Sequence, residues 1–117
     1  MGQLEEVDVL DLVFERGQPF ALTVTLTNES TGAKRTGLTL AEAKVKPSAE
    51  SATTLLNLNT YLTVDGAAST ASLLVPQAIV DALTFTKPAV WDMFCTFDGS
   101  REKVCKGSAR VVPNVTP

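Results

Sequence analysis

From Phe20 to Leu26 apolar and polar residues alternate without a break, with Phe20, Leu22, Val24 and Leu26 on one side and Ala21, Thr23, Thr25 and Thr27 on the other. A period of two with β-branched residues on the polar side predicts a strand that buries one face. Leu10, Leu12 and Phe14 alternate with Asp11 and Val13 just upstream, so a strand is predicted there too, and Arg16-Gly17-Gln18-Pro19 breaks the chain between the two. Asn28-Glu29-Ser30-Thr31-Gly32 follows, a run whose Asn and Gly tolerate the positive backbone angles of a reversal.

The middle of the chain is less regular. Leu38 and Leu40, then Ala43 and Val45, fit a strand stopped by Pro47, although Leu40 to Lys46 also fits a short helix; we read it as a strand. Leu56 and Leu58, then Leu62 and Val64, predict further short strands, and Asp65-Gly66 marks a turn before Ala71, Leu73 and Val75. Pro76 suits the first turn of a helix, and Ile79, Val80 and Leu83 recur at helical spacing, so a short helix is expected over about 76–84. Pro88 limits its extent.

The last third reads as a hairpin. Trp91, Met93, Cys95 and Phe97 share one face of a strand, Asp92, Phe94 and Thr96 take the other, and Asp98-Gly99-Ser100 turns the chain into a returning strand. About seven short strands with turn residues roughly every ten positions, plus one short helix, predict an all-β, immunoglobulin-like β-sandwich. The 117 residues suit one domain, 1–117, with residues 1–9 as an extended arm and 113–117 as an extended tail.

Composition narrows the function. Ten basic against thirteen acidic residues give a net charge of −3, and no basic run offers counterion release, which argues against nucleic acid as a partner. No stretch of eighteen apolar residues occurs, so no membrane helix is expected, and Glu5, Glu6, Asp8 and Asp11 interrupt any signal-peptide pattern at the amino terminus. The sequons at Asn28 and Asn114 carry meaning only in a secreted protein. The chain has no histidine, which removes Ser-His and Cys-His pairs and the commonest metal ligand, and it lacks GxxxxGK[ST], GxGxxG, GxSxG and CxxC. No enzyme, metal or cofactor is expected. Asp92 and Asp98, the nearest approach to a carboxylate pair, stand roughly 20 Å apart if one strand carries both, too far for glycosidase geometry.

Cys95 and Cys105 leave two readings open. If Gly99, Ser100 and Arg101 form a three-residue loop, the two cysteines face each other and a cross-strand disulfide is geometrically conceivable. Otherwise they are two reduced, small apolar residues, as suits a reducing compartment. Arg101, Glu102 and Lys103 form a charged hairpin tip, and Phe94 and Tyr61 are the aromatics that do not fall on apolar positions.

Several strings together resemble small β-sandwich virion proteins of tailed bacteriophages, found in the tail, baseplate, neck or fibre attachment, including the amino-terminal domain of baseplate upper proteins. FERGQPFALTVTLTNESTG is similar to the first strand of that family, and Arg35-Thr36-Gly37-Leu38-Thr39-Leu40 is similar to its following segment but out of order. Asp65-Gly66 through Leu83, Trp91-Asp92, and the ending from Gly107 to Thr116 match later parts of its pattern. The resemblance implies a non-enzymatic virion structural or adaptor protein, built in the host bacterial cytoplasm, whose partners are other virion proteins and copies of itself. Leu4, Val7 and Val9 in the arm, Phe94 and Arg101 on the hairpin, and Val115 in the tail are the contact candidates. The alternative is a carbohydrate-binding or adhesin-like β-sandwich module, which would need aromatic rings exposed on one face.

Overall fold

The computed structural model describes residues 8–28 and 31–113. In chain order the elements are β1 (Asp8–Val9), β2 (Leu12–Glu15), β3 (Phe20–Thr25), β4 (Leu38–Lys46), β5 (Leu56–Asn57), a 3-10 turn (Asn59–Tyr61), β6 (Leu62–Asp65), β7 (Thr70–Val75), α1 (Gln77–Asp81), β8 (Ala89–Phe97) and β9 (Ser100–Val112). They form two sheets. The larger runs β1-β9-β8-β4-β5, with β2 also on β9, and the smaller runs β3-β7-β6. β3, β7 and β6 stand where strands B, E and D of an immunoglobulin domain stand, and β9, β8, β4 and β5 take the places of G, F, C and C′. The fold is an immunoglobulin-like β-sandwich of nine strand segments against the about seven expected, the amino-terminal strand being split into β1 and β2.

The inner faces meet in one cluster. Trp91, Met93, Cys95 and Phe97 of β8 are all buried, as are Val24 and Leu26, Ala71, Leu73 and Val75, and Leu12 and Phe14. Phe14 packs on Phe20 across the sandwich with ring centroids 4.8 Å apart at a tilt of 53°, within the range that aromatic pairs favour. Burying this apolar face is what fixes the strands' register, since a one-residue slip would turn every one of these side chains to water.

Two bulges correct the simple period. Leu38 pairs with Phe97 but Leu40 pairs with Thr96, so Thr39 is the extra residue and the phase shifts: Leu38, Ala41, Ala43 and Val45 face the core, and Leu40 is exposed. Leu38 and Leu40 therefore do not share a face, and this shift is why the stretch also resembled a helix. In the hairpin the turn holds two residues, not three. Phe97 pairs with Ser100, while Asp98 (φ 50°) and Gly99 (φ 87°) adopt the left-handed angles of a type I′ turn. That register alone would set Cys105 opposite the outward-facing Asp92. A bulge at Val104 moves it opposite Met93 and so returns it to the core.

The helix is shorter than expected, Gln77–Asp81 instead of 76–84, with Pro76 as its N-cap residue. Its buried side chain is Val80, and Leu83 follows into the core after the last turn. The Asp81 carboxylate accepts the Gly17 N–H at 2.8 Å, and Arg16 donates to the Leu83 carbonyl, so the break between β2 and β3 is fastened to α1.

The amino-terminal strand is the other departure. Residues 8 and 9 were expected in an arm against a neighbouring subunit, but they pair in parallel with Cys105 and Lys106 of the same chain, and Leu12 to Glu15 continue the same register against Ala109 to Val112. Between them the Leu10 N–H donates to Lys106 O at 2.8 Å, and the Leu10 carbonyl accepts Trp91 Nε1–H at 2.7 Å. Gly107 makes this possible, because a Cβ there would lie 2.0 Å from the Leu10 oxygen. Gly107→Ala is therefore expected to lower stability by about 1–3 kcal/mol by pushing the amino-terminal strand off β9, read as a fall in the urea midpoint with loss of the native tryptophan emission.

Candidate protein-contact surfaces

β3 is an edge strand of six residues, Phe20–Thr25, bonded on one side to β7. Among the described residues no strand pairs with its other side. The Leu26 N–H donates to Ser69 O, which extends the β3–β7 register, so the alternation of the ladder turns the N–H and C=O groups of Ala21, Thr23 and Thr25 outward. Edge strands are ordinarily guarded by a charge, a proline or a bulge. FALTVT carries none of these, and the Leu74 side chain opposite Ala21 adds an apolar surface that is 60% exposed.

The outer face of the larger sheet is polar and ordered by charge. Arg101 forms an ion pair with Glu42 at 2.9 Å and lays its guanidinium over the Phe94 ring, 3.8 Å from the centroid. Lys103 approaches the same ring at 5.5 Å and pairs with Asp92 at 3.5 Å. Exposed pairs of this kind contribute little each, about 0–1 kcal/mol, but together they hold the long side chains of β9 in fixed positions above Phe94. Beneath the sheet, Arg35 makes a two-point contact to Glu102 and stacks over Phe97 at 3.9 Å, which closes the hairpin end of the core.

Of the expected contact residues, Phe94 and Arg101 are brought together, and Val9 lies on β1, 67% exposed. Leu4, Val7 and Val115 lie outside the described residues. Tyr61 is half-buried in the 3-10 turn. Phe94 lies beneath two cations, so its ring is not an open platform for stacking a sugar. Asp92 and Asp98 do not act as a pair: Asp92 bonds Lys103, and Asp98 sits in the turn with its N–H donated to Gly37 O. The open side of β3 depends on where the amino-terminal strand goes, so the strand's own residues give only a weak signal of it. The absence of any charge between Phe20 and Thr27 is the one signal that pointed to it.

Cys95 and Cys105 are both buried, and no disulfide joins them. Cys95 stands opposite Glu102 and Cys105 opposite Met93, so the facing pair that a three-residue loop would give does not form. Asp11, fully exposed, has its carboxyl held below the usual range because it accepts the Ser108 N–H. Among the described residues no group of three His, Cys, Asp or Glu side chains is placed to hold a metal, and no helix is long and apolar enough to cross a membrane.

No protein-family model matches the chain, and no curated protein matches it. Among solved structures, a chain from a photo-crosslinking study of multimeric cell-adhesive interactions of VGSC beta subunits is similar at a TM-score of 0.48 and 12% identity, covering 96% of this chain and 98% of that one. A likeness of that size carries no functional argument.

Burial pushes the Cys95 thiol up to about 11 from 9.0, against the lowering effect of Arg35. Its folded-state value lies above the unfolded one, so the stability it contributes is whole below pH 9.0 and is lost as pH rises toward about 11. A urea midpoint that falls between those limits in the wild type, and falls less in Cys95→Ala, is the expected result. At neutral pH neither thiol should react with iodoacetamide until the protein is unfolded, when both should.

Proposed function

We propose that the chain is a protein-binding β-sandwich module that joins copies of itself and neighbouring proteins by strand addition. The observation that carries this reading is the edge of β3 left without a partner strand among the described residues, six residues with neither charge nor proline and three outward backbone positions. Such an edge supplies main-chain hydrogen bonds to an incoming strand, and the neighbouring Ala21 and Leu74 supply apolar contact. The reading assigns no reaction to the chain and needs no cofactor.

The setting is supported by sequence alone. The strings from Phe14 to Gly32, Trp91-Asp92 and Gly107 to Thr116 resemble tailed-phage virion proteins, so the setting we favour is a virion structural or adaptor part that holds tail, baseplate or fibre components together. An adhesin-like module is the second reading, and the same uncharged edge favours it, because strand addition serves adhesive contacts equally well. The carbohydrate-binding form of that alternative has less support, since Phe94 is roofed by Arg101 and Lys103.

Proline at Thr23 provides the test. The Thr23 N–H faces away from β7, so proline there costs no ladder bond, only the exposed hydroxyl contact of Thr23 with Ser72 at 3.2 Å, but it blocks an incoming strand. Sedimentation velocity up to about 100 μM should show reversible self-association of the wild type and a monomer for Thr23→Pro with an unchanged far-ultraviolet spectrum. A wild type that stays monomeric over the whole range, or a variant that associates equally well, removes the β3 edge from the proposal.

A further inference from the structure

A groove of about 300 Å³ crosses the outer face of the larger sheet near β1, at a distance in the fold from the β3 edge. Its apolar floor includes Val9 and Val90, which are 67% and 37% exposed. Four of its lining residues are lysines: Lys44 and Lys46 from β4, and Lys103 and Lys106 from β9. The acid among its lining residues is Asp92, which lies on β8 directly between Lys44 and Lys106 and is paired with Lys103. Among the described residues Lys44, Lys46 and Lys106 make no ion pair, while the nearby Glu42 is already engaged by Arg101. The groove thus holds four of the chain's ten cations on a protein whose net charge is −3.

Like charges gathered over exposed apolar side chains destabilise an isolated surface, and the arrangement is relieved by a ligand that carries acids and greasy groups together. A nucleic-acid strand fits less well. Binding of single strands relies on aromatic platforms for the bases, and the groove's one ring, Trp91, is 3% exposed with its N–H committed to Leu10 O. An extended polypeptide fits better: its same-face side chains recur at roughly 7 Å, and two long glutamate side chains can spread to reach lysines whose strands lie roughly 10 Å apart. Two such carboxylates can bracket Asp92, with their methylene stems lying over the valines.

We propose that this groove is a docking site for an extended acidic segment of a partner protein, one that carries glutamate or aspartate at every second position. The site is independent of the β3 edge, since the two lie on different sheets.

The test uses the full chain and a fluorescein-labelled peptide of about ten residues that alternates glutamate with leucine, set against a glutamine–leucine counterpart, with anisotropy as the readout. The glutamate peptide should bind saturably and lose about tenfold in affinity when its acids become glutamine. The double variant Lys44→Gln, Lys106→Gln should lose about as much while keeping the wild-type urea midpoint, because both side chains are exposed. Thr23→Pro should bind the peptide as the wild type does, which separates this site from the edge. Absence of saturable binding, equal affinity for the glutamine peptide, or an unaffected double variant overturns the proposal. So does equal binding of an oligothymidylate of about ten nucleotides, which would make the groove a general anion site.

Discussion

The seating of the Leu10 carbonyl over Gly107 is the contact on which the rest of the architecture depends. It joins three parts of the chain at one point: the amino-terminal strand through its backbone, β9 through the missing Cβ, and β8 through the indole of Trp91. Since β9 is thirteen residues long and is bonded to β8 on one side and to β1 and β2 on the other, it acts as the central spine of the larger sheet. Leu12 and Phe14 reach the core only because β2 keeps the register set there.

The same choice of partner explains why the smaller sheet is left with a bare side. In an immunoglobulin domain the first strand can lie beside strand B. Here it lies on the last strand instead, and β3, the counterpart of B, keeps one row of its amides and carbonyls unpaired among the described residues. The open edge follows from the topology as a whole and leaves the packing of the core untouched. A packed core and an open border are thereby separated within one small domain, with the charged face of β4, β8 and β9 forming a second, chemically different border.

Where the two-residue alternation runs unbroken, the sequence was enough to place the strand. Phe20 to Leu26 and Trp91 to Phe97 needed no further information, because every second residue is apolar and the boundaries are turn residues. The bulges at Thr39 and Val104 were hidden, since an inserted residue changes the facing of everything after it without changing the composition around it. That is why Leu40 reads as sharing a face with Leu38 and why the sequence leaves both readings of Cys95 and Cys105 open, of which the structure shows two buried residues with no disulfide between them. The three-residue loop that would set the cysteines face to face does not form, as Asp98-Gly99 alone makes a type I′ turn and the extra residue lies farther along β9. Of the contact residues, Phe94 and Arg101 could be linked through the hairpin, whereas the lysines of the groove come from separate strands and meet only once the register of β4 on β8 and of β8 on β9 is known.

The parallel pairing of β2 with β9 has a mechanical side. Because the two strands run the same way, the described chain enters this edge beside Cys105 and leaves it past Val112, so its ends point in opposite directions along one line. A pull on the two ends would load the ladder in shear, straining all of its hydrogen bonds at once and not peeling them singly. A unit wired in this manner resists stretching far better than its thermodynamic stability alone would indicate, a useful property for any part that must transmit force from one neighbour to the next.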